Sequence, residues 1–214
     1  MTQPSDYRAA TAAAYDAVAE LYAEMARDEL AGLPLDRSVL SVFAEFTQSG
    51  AAGLVAELGC GPGRVTAHLR DLGLRAFGVD LSPVMIDLAR NTYPDLRFEV
   101  GSMDALDIPD ASLDGVVSWY SLIHSPADEL PGYFSEFSRV LLPGGYLLLG
   151  FFESGDGPVT PFDHKVITAY SWPIDELAGL AADAGFTEVG RMMREPQGEE
   201  RAIRRGHLLM RLTG

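Results

Sequence analysis

Three glycines at alternate positions, Gly59, Gly61 and Gly63, separate the apolar run Leu54-Val55-Ala56-Glu57-Leu58 from the helix-forming run Val65-Thr66-Ala67-His68-Leu69-Arg70. Few folds use that arrangement. Glycine adopts positive φ readily and has no side chain to hold a ligand away. A helix N-terminus beside it offers free N–H groups to an anionic tail. Strand, glycine turn and helix in that order open a doubly wound α/β sheet with its ligand at the turn. A P-loop is excluded, because no Gly-Lys-Ser/Thr follows the glycines. A dinucleotide fingerprint wants glycine three residues after the second one. Arg64 stands there, which argues against NAD.

The same grammar repeats downstream. Arg75 to Asp80 reads as a second strand. A helix opens at Ser82-Pro83, with Ser as N-cap and Pro at the first helical position, and carries Met85, Ile86, Leu88 and Ala89 on its apolar side. Strands are expected at 96–100, 113–119 and 146–151, with a helix over 128–142 stopped by Pro143-Gly144-Gly145. After an irregular stretch, a helix over 173–184 and strands over 187–193 and 207–212 complete the series. Upstream, Tyr15, Val18, Ala19, Leu21, Tyr22 and Met25 recur at helical spacing to about Glu29, and a second helix follows Pro34 until Gly50 and Gly53 break the pattern. Alternation with short links implies an α/β, mostly parallel sheet covered on both faces. Its ligand crevice lies outside the strand C-termini, where the strand order reverses. Asp80 ends the second strand, where such folds set an acidic residue against a ribose. Its other use would be to cap the next helix, but Ser82 is the better cap.

With 214 residues, 47 % of them hydrophobic, the chain can bury one core without staples. Cys60 is the sole cysteine, which rules out an intrachain disulfide and suits a reducing, cytoplasmic setting. Met1 to Asp6 lack the charged and apolar regions of a signal peptide. No apolar run nears the roughly 20 residues that span a bilayer, so no membrane partner is expected. A net charge of −15 disfavours nucleic acid. The nearest basic cluster, Arg201, Arg204 and Arg205, is diluted by Glu199 and Glu200. No compact His/Asp/Glu set suggests a metal.

Val55-Ala56-Glu57-Leu58-Gly59-Cys60-Gly61-Pro62-Gly63 resembles the first motif of class I S-adenosylmethionine-dependent methyltransferases, and Gly78-Val79-Asp80-Leu81-Ser82 their second. Gly101 to Leu106 resembles the loop that reads adenine. Asp114 to Ser118 and Leu141 to Gly145 complete the family order over about residues 50–152. The resemblance implies a Rossmann-like, seven-stranded sheet whose last strand is antiparallel, preceded by N-terminal helices. It divides the chain into a helical lid, 1–49, and a methyltransferase domain, 50–214, within one compact unit. It also implies S-adenosylmethionine as cofactor and S-adenosylhomocysteine as product. Gly59, Cys60, Gly61 and Gly63 would then face the methionine part, and Glu57 would order the turn or meet the ammonium through water. Asp80 would hold the ribose. Leu81 and Met85 would flank the adenine, and Asp104 would accept from its amino group, with Ser102, Met103 and Ala105 alongside. Ser118 and Trp119 would lie near the sulfonium, and a hydroxyl of Tyr15 or Tyr22 would reach the cofactor carboxylate.

Methyl transfer from a sulfonium needs alignment and dryness more than a strong catalytic group. A base is needed where the acceptor loses a proton. His124, in the segment after the fourth strand, is the first candidate and His164, in the irregular stretch after the fifth, the second, because histidine titrates near neutral pH. The stretch from Phe152 to Trp172 is too long for a bare connection and reads as a substrate lid carrying Phe152, Phe162, His164, Tyr170 and Trp172. The link from Arg194 to Arg205 should emerge on the same edge. The expected partner is a small-molecule acceptor, and the expected state is monomer or homodimer. An RNA or protein methyltransferase, and a non-catalytic Rossmann-like nucleotide-binding protein, remain as alternatives.

Overall fold

The computed structural model describes residues 4–48, 53–198 and 200–213. The boundary expected at 49/50, Gly50, the first three residues and Glu199 lie outside them. Alternating side chains in the middle of the chain dictate the sheet. In β1 (Leu54–Leu58), Val55 packs on one face and Ala56 and Leu58 on the other, and β4 (Leu113–Trp119) and β5 (Leu141–Glu153) divide in the same way. One face is covered by α3 (Pro34–Gln48) and α4 (Arg64–Asp71), through Leu40, Phe43, Val65 and Leu69. The other is covered by α6 (Leu130–Val140) and α7 (Ile174–Asp183), through Phe134, Phe137 and Leu177.

The strand order runs β3 (Arg97–Val100), β2 (Arg75–Asp80), β1, β4, β5, all parallel. Antiparallel β9 (Arg204–Leu212) follows β5, and β8 (Phe186–Arg194) pairs with β9. The order reverses between β1 and β4, so the crevice opens beside the glycine turn. α5 (Pro83–Thr92) starts as the sequence dictates, with the Met85 N–H donating to Ser82 Oγ at 3.0 Å.

Three expectations are corrected. The helix expected over 15–29 is two helices, α1 (Pro4–Asp16) and α2 (Ala19–Ala26), broken at Ala17-Val18. Neither Pro nor Gly marks that break, and it lets Tyr15 and Tyr22 meet edge to face, 5.6 Å between centroids. The stretch after Phe152 is not irregular. It forms a hairpin, β6 (Thr160–Asp163) and β7 (Thr168–Trp172), which brings the described strands to nine rather than seven. β5 outruns β4 at its C-terminal end, and β7 pairs there with Phe152 and Glu153 along the edge that β4 leaves open, β9 already occupying the opposite edge. Finally, the helix expected to Leu142 ends at Val140, because Leu141 pairs with Leu113 and so belongs to β5.

Candidate functional site

The three glycines have different tasks. All take positive φ: 74° at Gly59, 52° at Gly61 and 84° at Gly63. A Cβ at Gly59 would stand 2.2 Å from Ser121 Cβ, and one at Gly63 would stand 2.6 Å from Phe98 Cζ. Those two glycines let elements pack closely. At Gly61 nothing lies nearer than Tyr22 Cε1 at 4.0 Å, so a side chain there would fill the open cleft itself. The Gly59 and Cys60 N–H groups donate to Val79 O at 2.7 and 3.1 Å, which binds the turn to β2. Asp80 receives the Gly61 N–H on Oδ2 at 2.7 Å and the Ser82 N–H on Oδ1 at 2.8 Å. Burial raises its pKa, against the pull of those two donors.

A cleft of about 800 Å³, open solvent at its mouth included, runs from this turn beneath α1 and α2. Of the residues expected at a cofactor, Tyr15, Tyr22, Glu57, Gly59, Cys60, Gly61, Asp80, Leu81, Met85, Met103 and Trp119 line it, and so does His124. Gly63 does not, because its open side faces Phe98. Ser118 sits one layer deeper, bonded through Oγ to Ser121 Oγ at 2.7 Å, and Ser121 takes the wall position. Ser102, Asp104 and Ala105 also lie off the wall. Ser102 Oγ donates to Asp104 Oδ1, and Arg8 draws Oδ2 outward at 3.0 Å. Asp104 therefore meets α1 where an adenine amino group was expected.

Glu57 is buried, donated to by Thr66 Oγ1, and burial pushes its pKa up to about 8. Arg64 is the chief residue that the sequence reading passed over. Glu29 holds its Nη2 at 2.6 Å, while Nη1, buried in the cleft wall, has no hydrogen-bond partner among the described residues. The signal was available, since Arg64 is the first residue of α4 and directly follows the turn. An orphan guanidinium nitrogen and an uncovered Gly61 backbone are what a ligand with a carboxylate tail requires.

The far end is made of rings. His124 Nδ1 lies 3.1 Å from Thr168 O and Nε2 lies 2.7 Å from Tyr15 Oη. Burial lowers the His124 pKa. The His164 ring meets His124 edge-on at 5.1 Å, and burial, with help from His124 and two arginines, lowers its pKa to about 4. Phe152 packs on His164 and Phe162, with the Arg205 guanidinium 4.5 Å from its ring centre. Arg201 approaches Phe162 at 5.5 Å, so the 194–205 link does reach this edge. Phe152, His164, Tyr170 and Trp172 stand behind the wall and do not line the cleft. Tyr120, also overlooked, does line it. Its φ of 54° is unusual for a bulky residue, and its ring packs between Trp119 and Phe152. No sequence signal marks that backbone angle. Behind it, a buried Asp36–Arg194 pair, with Nε to Oδ2 at 2.5 Å, fastens α3 to β8.

Residues 55–145 match the family described as Methyltransferase domain. The chain is 30 % identical over 146 residues to the malonyl-[acyl-carrier protein] O-methyltransferase of Yersinia pestis, which covers 68 % of this chain and 51 % of that protein. It is 29 % identical over 139 residues to the enzyme of the same description from Serratia marcescens, covering 65 % and 54 %. The chain thus spans about half the length of the curated relatives it matches. The crystal structure of Burkholderia thailandensis 1,6-didemethyltoxoflavin-N1-methyltransferase, with 1,6-didemethyltoxoflavin and S-adenosylhomocysteine bound, aligns over 100 % of this chain and 92 % of that one, at TM-score 0.77 and 25 % identity. Among the described residues no helix is long and apolar enough to cross a membrane, and no cluster of three metal-ligating side chains occurs.

Proposed function

We propose, from the premise that residues 55–145 form a class I S-adenosylmethionine-dependent methyltransferase domain, that this protein transfers the methyl group of S-adenosylmethionine, the domain's cofactor, to O, N or C of a small-molecule acceptor. One observation carries the reading. A single cleft joins the open face of Gly61, the Asp80 carboxylate and the orphan Arg64 Nη1 at one end to Trp119, Tyr120 and His124 at the other.

When bound, the cofactor supplies a methyl group already activated on a sulfonium. The chain's own residues bind, orient and exclude water. Each Asp80 oxygen accepts one backbone N–H and keeps a lone pair for a ribose hydroxyl. Arg64 Nη1 takes the carboxylate of the methionine part. Glu57, whose pKa burial holds up at about 8 against the pull of Thr66 and the Arg64 guanidinium, would ionise opposite the cofactor's ammonium. Leu81, Met85 and Met103 flank the adenine. α1 and α2, which line the cleft through Thr11, Tyr15 and Tyr22, act as a lid that keeps it dry. His124 serves as base, and the hairpin with Phe152, His164, Tyr170 and Trp172 supports the acceptor side. The relatives' names, malonyl-acyl carrier protein and didemethyltoxoflavin methyltransferases, favour a small acceptor over RNA, as does the net charge of −15. A reducing cytoplasm suits the buried thiol Cys60.

Titration calorimetry with S-adenosylhomocysteine tests the cofactor half. Asp80→Ala removes hydrogen bonds to a charged group and is expected to weaken binding roughly 10²-fold. Unchanged affinity would remove the ribose assignment. Incorporation of labelled methyl from S-adenosylmethionine into low-mass rather than macromolecular products tests the acceptor half.

A further inference from the structure

Resting on the methyltransferase reading of this cleft, we propose that Tyr15 and His124 form one proton-accepting unit for the methyl acceptor. The Thr168 carbonyl fixes the imidazole tautomer, and the acceptor is a planar ring bearing an ionisable O–H or ring N–H. Three remote segments build the unit: Tyr15 on α1, His124 in the turn after β4, and Thr168 at the start of β7.

Direction follows from chemistry. A carbonyl can only accept, so the 3.1 Å contact to Thr168 O puts the proton of the neutral imidazole on Nδ1. Nε2 then carries the lone pair, and Tyr15, at 2.7 Å, donates its O–H to it. Tyr15 is therefore engaged with His124 and does not serve a cofactor carboxylate. Both residues line the cleft beside Trp119 and Tyr120. The unit can take up a proton without moving. The acceptor's X–H proton passes to Tyr15 Oη as the Tyr15 proton passes to Nε2. The electron pair left on X forms the bond to the methyl carbon, and the pair of the broken S–C bond stays on the departing thioether. The resulting imidazolium donates from Nδ1 to Thr168 O and from Nε2 to Tyr15 Oη, so both hydrogen bonds survive protonation. Its extra proton then leaves to solvent.

The surroundings suit a base that is neutral at rest. Tyr22 and Asp80 act on Tyr15, which burial holds protonated. His124 faces His164, whose own neighbours are Asp163, Arg201 and Arg205. Among the described residues no carboxylate bonds to His124, and burial lowers its pKa. The rings of Tyr15, Trp119, Tyr120 and His124, several of them edge to face, offer flat walls to a flat acceptor.

Long-range ¹H–¹⁵N correlation on the full chain saturated with S-adenosylhomocysteine reads the tautomer directly. At pH 7 His124 should be neutral with its proton on Nδ1. Tyr15→Phe should leave that proton in place and move Nε2 to the position of an unbonded lone pair. A proton on Nε2, or an Nε2 signal indifferent to Tyr15→Phe, overturns the unit. In the transfer assay, phenol and pentafluorophenol serve as paired acceptors, the second already ionised at neutral pH. Tyr15→Phe and His124→Gln should each slow transfer to phenol by roughly 10²-fold and spare pentafluorophenol. Equal losses on both, or no transfer to phenol by the native protein, also overturn it. Absence of saturable S-adenosylhomocysteine binding in the same samples defeats the methyltransferase reading itself, whereas saturation with the wrong tautomer defeats the proton unit alone.

Discussion

One end of the cleft is built from main chain, the other from rings. At the glycine end, three positive-φ residues within five positions set the shape, and the stitching bonds run to β2. At the ring end the shape depends on side chains such as Tyr15 and His124, 109 positions apart, that meet after the fold has formed. The charges differ in the same way. Burial drives Glu57 up to about 8 at the first end and His164 down to about 4 at the second, so each group is held neutral by an opposite shift. A main-chain site is stiff and tolerates little substitution. A ring site is adjustable, and its groups can be replaced one at a time.

The largest test of that contrast is Gly59→Val. The new Cβ would overlap Ser121 at a φ of 74°, and a loss of at least about 3 kcal/mol in urea unfolding is expected. His164→Phe, at the ring end, replaces a ring whose buried Nδ1 has no partner, so it should leave stability unchanged or raise it. Comparable losses in both variants would erase the distinction.

The two ends should also give the stability curve opposite slopes. The Glu57 carboxyl has a folded pKa of about 8, above its ordinary 4.5. The folded state then holds more protons than the unfolded one between those values, so this contribution is full below 4.5 and is lost as pH rises through 8. The His164 value of about 4 lies below its ordinary 6.5, so its contribution is full above 6.5 and is lost as pH falls through 4. Stability against pH should show Glu57→Gln removing a fall that spans about pH 4.5 to 8 and His164→Phe removing a rise that spans about pH 4 to 6.5, so the two opposed slopes overlap between 4.5 and 6.5 and only the Glu57 fall continues above that. Glu57→Gln should also remove any rise of S-adenosylhomocysteine affinity from pH 6 to 8.

The same contrast governs how much could be read from sequence. β1, β2, the glycine turn, the Ser82 cap and Asp80 are local signals, each decided within a few residues, and the structure carries them where they were expected. His124 was legible as a residue near the end of β4, but its partners were not, because Tyr15 and Thr168 arrive from other elements. The hairpin escaped because its demand comes from β5, whose end has β9 on one edge but an open edge on the other once β4 stops. No pattern within residues 152–172 expresses that. Asp104 was legible as a residue of the loop after β3, yet its local sequence could not show that Arg8, far upstream, pairs with it.

Arg8 sharpens the comparison at the smallest scale. Its Nη1 meets Asp104 at 3.0 Å and its Nη2 meets Glu129 at 2.6 Å, in pairs that solvent partly reaches. Such pairs contribute about 1 kcal/mol or less. Arg8→Ala should therefore cost little in unfolding while speeding S-adenosylhomocysteine release a few-fold, because α1 is less firmly held. If Asp104 acts through Arg8, then Asp104→Asn should reproduce that release rate, and the double variant should add nothing to either. If Asp104 instead reads adenine, Arg8→Ala would free its carboxylate and tighten binding, while Asp104→Asn would weaken it. The thermodynamic cycle, measured by stopped-flow displacement, separates a lid held by side chains from a nucleotide read by them.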